Sequence, residues 1–317
     1  MDTLTPAEVT AGTCHLEVES IHANEAQIVM LTIGEKKAAQ KYYITFFKAW
    51  MAAWMLNFGA MSVQIFQGGA GTLRKDYPSI INLVAALIFP IGLIMLVLTG
   101  QELCTANFMI FIMTSIKKRT KLWELPVNWI IVFFGNMAGA LTFVAFLAHY
   151  SKLYNTDALV TYSAGVAVTK TAEGWGPCVL RGIGCNFLVC LAVWLGAGAR
   201  ETISKIFALH FPAFAFVFLG FEHVIVNMYY IPIGMLNGAH VSVGKYVGQS
   251  MIPSLIGNII GGALLGVPMV LFYTPPELPF FHRKRGNSVV VRENVDVGGG
   301  TIGDNLHVEP VNGHKKQ

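Results

Sequence analysis

Charge is what this sequence has least of. Only 13% of its 317 residues are Asp, Glu, Lys or Arg, about half the share of a soluble globular chain. The charges that exist sit in short hydrophilic pieces between long tracts that carry almost none. That argues against a water-soluble enzyme and fits a polytopic membrane protein. Nucleotide and metal signatures are missing too: there is no Walker A loop, no G-x-G-x-x-G after a strand pattern and no H-E-x-x-H pair. No cofactor and no metal site is therefore expected. The net charge of +4 is small and forms no basic stripe, so nucleic acid is not an expected partner. The five cysteines (Cys14, Cys104, Cys178, Cys185, Cys190) have no C-x-x-C spacing and read as small buried apolar residues. Residues 1–40 lack an apolar run after a basic start, so no secretory signal is expected and insertion would rely on the first membrane helix.

What is present is a series of apolar runs long enough to cross a bilayer, which needs about 20 residues each. The pattern predicts an all-α membrane protein with six transmembrane helices, at about 44–67, 80–114, 127–149, 177–199, 203–236 and 250–273. Helix two is interrupted at Gln101-Glu102 and helix five at Glu222-His223. Lys and Arg divide 16 against 6 between the two sides that this threading creates, which puts both termini in the cytoplasm. The expected organisation is a cytoplasmic N-terminal segment at 1–42, a six-span domain at 43–275 with halves of about 43–150 and 175–275, and a disordered cytoplasmic tail at 276–317. The long polar tail suggests a plasma-membrane address.

The interruptions echo each other. Residues 100–107 read G-Q-E-L-C-T-A-N and residues 220–227 read G-F-E-H-V-I-V-N, both Gly-x-Glu-x-x-x-x-Asn. Gly135-Asn136-x-x-Gly139-Ala140 is matched by Gly257-Asn258-x-x-Gly261-Gly262, and Asn57-Phe58 is paired with Asn186-Phe187. Spans 1–3 and 4–6 thus read as copies. An odd number of spans per copy makes the repeat inverted, and interrupted helices at matching positions point to a binding site between the halves. Glu102 and Glu222 are expected to cap the resuming half-helices, whose free N–H groups suit an anion. Asn107 and Asn227 follow a turn and a half later, either as structural glue or on a solute path. His223 breaks the symmetry, because its counterpart is Leu103. A mid-membrane ionisable group in only one half is either a satisfied neutral ring or a functional residue able to hand a proton to a weak-acid anion.

The stretches GCNFLVCLAVWLGAGARETISK (184–205), GFEHVIVNMYYIPIGM (220–235), IPSLIGNIIGGALLG (252–266) and GQELCTANFM (100–109) resemble the formate/nitrite transporter family, over roughly residues 30–275. The resemblance implies a homopentamer of aquaporin-like protomers, each with its own pore for small monovalent anions such as formate, nitrite, hydrosulfide, acetate or lactate, in several cases moved with a proton. It implies an inner constriction of Phe89, Leu93 and Phe216 and an outer one involving Cys104 and Val189. Thr105 would face His223, with Asn227 and Asn258 nearby, and Lys170 would be the lysine of the outer vestibule, whose field draws anions in. Two departures stand out. Cys104 replaces an aromatic common in bacterial members, and Glu102 stands where Asp is common.

The function expected is transport of nitrite or formate through the lipid bilayer, proton-coupled at a central histidine. The alternatives are a passive anion channel and a neutral-solute channel of the aquaporin class. The latter normally carries two Asn-Pro-Ala boxes, and this chain has none. A membrane-embedded enzyme or sensor using Glu102, Glu222 and His223 is a further alternative. It would need a second catalytic partner in the spans, and the isolated His210 and His240 do not suggest one.

Overall fold

A computed structural model describes residues 21–273. The expected tail at 276–317 and Cys14 lie outside the described residues. Among the described residues all regular structure is helical: α1 (Ala23–Ala38), α2 (Tyr42–Gly69), α3 (Gly71–Asp76), α4 (Pro78–Ile88), α5 (Pro90–Leu98), α6 (Cys104–Ile116), α7 (Glu124–Phe143), α8 (Asp157–Lys170), α9 (Trp175–Gly198), α10 (Thr202–Phe218), α11 (Val224–Leu236), α12 (Val243–Tyr246) and α13 (Ile252–Tyr273). Short π-helical stretches extend α7 to Tyr150 and join α12 to α13. Among the described residues four continuous segments are long and apolar enough to cross a membrane: Pro78–Leu98, Glu124–Tyr150, Trp175–Gly198 and Val243–Tyr273. At 28 residues α2 is long enough, but amides at Asn57, Gln64 and Gln67 make it less apolar. Helices α6, α10 and α11 are shorter apolar pieces.

Two helices longer than ten residues fall outside the expected spans, besides the short α3 and α12. Before residue 43, α1 buries Ala26, Met30 and Leu31 against Met109, Met113 and Trp194. Between the third and fourth apolar runs, α8 starts at Thr156, whose side chain accepts the Leu159 N–H, an N-cap. Both helices mix polar and apolar residues and are too short to span, so no long apolar run marks them.

The expected interruptions are real and have one construction. Gly100 (φ +66°) and Gly220 (φ +68°) take the left-handed conformation, which costs glycine nothing. The Gln101 N–H donates to the Leu96 carbonyl (2.9 Å) and the Phe221 N–H to the Phe216 carbonyl (3.1 Å), closing α5 and α10 with the same C-terminal motif. The chain then runs extended through Leu103 (φ −105°, ψ 122°) and His223 (φ −111°, ψ 117°) before α6 and α11 begin.

Helix packing repeats as well. A Cβ on Gly139 would lie 2.2 Å from the Trp50 carbonyl oxygen, and one on Gly257 would lie 2.3 Å from that of Val179. These glycines let α7 meet α2, and α13 meet α9, backbone to backbone. The contacts also set the register between the halves. Gly135 and Gly139 face Phe46 and Trp50, while Gly257 and Gly261 face Val179 and Ile183. The side chain of Asn136 reaches Ala49, and that of Asn258 reaches Gly182. Phe46, Ala49 and Trp50 therefore correspond to Val179, Gly182 and Ile183. This corrects the pairing of Asn57 with Asn186 by one helical turn: Asn186 corresponds to Ala53, and Asn57 to Cys190. The Asn-Phe match was too short to fix a register that close glycine contacts decide. The same register pairs Lys37, in α1, with Lys170, in α8.

Candidate functional site

Each break leaves polar main chain inside an apolar interior, where unpaired groups are costly. One asparagine per half deals with this. Asn136 accepts the Cys104 N–H (2.9 Å) and donates to the carbonyls of Glu102 (2.9 Å) and Ala49 (2.7 Å). Asn258 accepts the Val224 N–H (2.9 Å) and donates to the carbonyls of Glu222 (3.0 Å) and Gly182 (2.9 Å). Each amide thus fastens the extended residues, the first free N–H of the next half-helix and a neighbouring helix. A third amide, Asn186, donates to the carbonyls of Thr105 (3.0 Å) and Asn258 (2.6 Å), tying the two breaks together. Asn258 was expected beside the permeation path, but both of its side-chain polar atoms are engaged in this clamp.

The carboxylates do something other than the capping expected of them. Glu102 takes the Lys37 ammonium at 2.6 Å and the Asn107 amide at 2.8 Å. Glu222 takes the Lys170 ammonium at 2.9 and 3.0 Å and the Asn227 amide at 2.7 Å. The capping sites are already filled by Asn136 and Asn258, so the acids are free to neutralise a lysine. Both acids are buried, at 1% and 4% exposure, and a buried carboxylate is tolerable only when paired and hydrogen-bonded. Asn107 also donates to Asn128 (2.9 Å) and Asn227 to Ser250 (3.1 Å). The lysine, acid and amide recur at matching positions in each half, a regularity that needed α1 and α8 to be visible.

Where the halves differ is the residue that starts the second half-helix. In the first half it is Leu103, and in the second it is His223. The Val226 N–H donates to His223 Nδ1 at 3.2 Å, so the ring caps α11. With Nδ1 accepting, the ring proton of neutral imidazole sits on Nε2. Nε2 lies 3.0 Å from Thr105 Oγ1 and donates to it, leaving the threonine hydroxyl hydrogen available for a third group. His223 is 3% exposed and Thr105 fully buried. The two breaks thus meet at a single imidazole–hydroxyl contact.

Phe216 stacks on His223 (centroids 6.0 Å apart, planes 23°) and meets Phe89 edge to face (5.4 Å, 81°). Phe89, Phe216 and His223 border a cavity of about 230 Å³ that also reaches Lys170, Tyr162 and Asn227. Phe89 and Phe216 therefore lie on the Lys170 side of the histidine. This corrects the expected assignment, which put this ring on the side opposite the Lys170 vestibule. The sequence orders residues along a half-helix but does not give the depth at which two half-helices meet. Leu93, one turn beyond Phe89, is buried. Cys104 and Val189 are buried and do not border that cavity; the Cys104 thiol points at the Trp129 carbonyl (3.5 Å). Lys170 is the one charged side chain bordering the cavity among the described residues.

Residues 24–273 match the formate/nitrite transporter family model. The chain belongs to the formate/nitrite transporter family. The transporter is 41% identical over 194 residues to the uncharacterized transporter YrhG of Bacillus subtilis, covering 61% of this chain and 72% of YrhG. It is 33% identical over 241 residues to a probable formate transporter of Methanothermobacter thermautotrophicus, covering 71% and 86% of the two chains. Among solved structures it is similar to a pentameric formate channel with formate bound, with a TM-score of 0.64, 28% identity, and coverage of 73% of this chain and 97% of the channel. The transporter is thus an integral membrane protein.

Proposed function

We propose that this transporter moves small monovalent weak-acid anions, formate or nitrite, across the plasma membrane together with a proton. The observation that carries the reading is the 3.0 Å contact between His223 and Thr105, where the two breaks meet behind an apolar pair of rings. An anion entering from the Lys170 side meets the positive end of the Lys170–Glu222 pair, since Lys170 borders the cavity and Glu222 does not. It then meets Phe89 and Phe216, which strip its water, and the cost of the bare charge there is what protonation at the adjoining His223–Thr105 contact lowers. At the centre the Thr105 hydroxyl donates to it; His223, hydrogen-bonded behind Thr105, first takes a proton from water to become imidazolium, passes one proton through the Thr105 hydroxyl to the anion and returns to its neutral form, and the acid releases that proton to water on the far side. Leu93, Cys104 and Val189 contribute the apolar walls on either side.

In this reading the halves are inverted three-span repeats of a six-span, aquaporin-like protomer at residues 43–275, with 1–42 and 276–317 as cytoplasmic segments. The doubled Asn136/Asn258 clamps and the doubled lysine–acid–amide sets support an inverted repeat, because such copies present the same contacts to opposite membrane faces. Similarity to a pentameric formate channel supports a homopentamer, in which each protomer carries its own path in this reading. Purified protein in proteoliposomes is expected to take up labelled formate saturably, with nitrite competing. Uptake no faster than in empty vesicles would contradict the reading.

A further inference from the structure

The cavity on the Lys170 side contains a polar group that the fold leaves half used. Gln64 and Gln67 are one turn apart on α2, and both border the cavity. Gln67 is fully engaged: the Tyr162 hydroxyl donates to its Oε1, and its Nε2 donates to Asn82 Oδ1 at 3.1 Å. Gln64 is not. The Tyr154 hydroxyl donates to its Oε1, while its Nε2 is buried and has no partner. The whole residue is 1% exposed.

A third residue fixes which way the amide faces. The Tyr154 and Tyr229 hydroxyls lie 2.6 Å apart, and Tyr229 is fully buried. With the Tyr154 hydrogen on Gln64, the Tyr229 hydroxyl donates to the Tyr154 oxygen and the chain closes. The reverse amide would turn the Tyr154 hydrogen towards Tyr229 and strand the Tyr229 hydrogen, in a residue that does not border the cavity. The tyrosines therefore hold Gln64 with its NH₂ as the free end. A buried donor without an acceptor calls for an explanation; Gln64 borders the cavity but its Nε2 exposes no surface to it in this structure, so an acceptor loaded in the cavity reaches Nε2 only when the neighbouring side chains part. Lys170 cannot play the same part as well, because both oxygens of Glu222 already hold its ammonium.

We propose that Gln64 Nε2 is a hydrogen-bond donor to a small oxyanion, of the carboxylate or nitrite type, loaded in this cavity before the Phe89–Phe216 pair. Lys170 borders the cavity and its partner Glu222 does not, so the anion meets the positive end of that ion pair, and Gln64 selects for an oxygen acceptor and holds it. The inference deepens the transport reading above and rests on it.

The test is thermal unfolding of the purified full chain in detergent, titrated with sodium formate against sodium chloride at equal ionic strength. Wild type is expected to be stabilised saturably by formate. Gln64→Glu keeps the acceptor for Tyr154 but removes the donor, and Gln64→Met removes both. Each is expected to raise the half-saturating formate concentration at least about tenfold, the effect of losing one hydrogen bond to a charged group. Half-saturation within about twofold of wild type in either folded variant overturns the proposal, as does a wild type that formate does not stabilise beyond chloride. Proteoliposome uptake separates the two readings. Vesicles that pass formate while the Gln64 variants bind it normally sink this inference and leave transport standing. Vesicles that exclude formate sink transport, whatever the titration shows.

Discussion

Asn258→Leu is expected to remove most folded protein, although leucine is apolar, of similar size and sits in a membrane helix. The substitution strands the Val224 N–H and the Glu222 carbonyl, both buried, and removes a second bond from the Gly182 carbonyl, which keeps its partner within α9. Each stranded group costs about 1–3 kcal/mol, and the two together reach the lower end of the whole stability of a typical domain, about 5–15 kcal/mol. Size-exclusion chromatography in detergent should show the main peak falling by about tenfold or more. Asn258→Asp keeps an acceptor for Val224 and loses the two donated bonds, so it should fall between leucine and wild type. A leucine variant as abundant and as stable as wild type would show that the break at residues 220–223 is held by something other than this amide.

Glu222→Leu should be the next most damaging change, for an electrostatic reason. It leaves the Lys170 ammonium, mostly buried, without its counter-charge, and the Asn227 amide loses its closest acceptor. Removing one partner of a buried pair costs about 3–5 kcal/mol, while replacing both is often close to neutral. Glu222→Leu combined with Lys170→Met is therefore expected to recover most of the melting temperature lost by Glu222→Leu alone. The size of the recovery measures the pair directly. A double variant no more stable than the single one would mean that the carboxylate matters for the main chain around it and not for the lysine.

The parts of this architecture that were legible in the sequence are those where an apolar tract tolerates something expensive. Gly100, Glu102 and Asn107, echoed by Gly220, Glu222 and Asn227, marked both breaks because acids and amides in hydrocarbon need a reason. His223 was legible through asymmetry, since Leu103 takes the same place in the other half. What each polar group does was less legible. A carboxylate just before a half-helix suggested a cap, but the capping amides arrive from α7 and α13, more than thirty residues away in sequence. Lys37 fell in the expected cytoplasmic segment at 1–42, and Lys170 between the expected spans that end at 149 and begin at 177. Their equivalence depends on α1 and α8, whose mixed composition resembles that of a loop. Gln64 carries no local signal at all: what sets it apart from Gln67 is which partners two distant tyrosines happen to reach.

The central claim is that His223 couples anion movement to protons. The measurement is accumulation of labelled formate in proteoliposomes, with and without an inward proton gradient, for wild type and His223→Ala. The account predicts that wild type concentrates formate above the external level when the gradient is applied, and that His223→Ala, which loses the ring facing Thr105 and the cap on Val226, only equilibrates it, about tenfold or more slower. Equal accumulation by wild type and His223→Ala, or no accumulation by wild type under any gradient, would contradict the account.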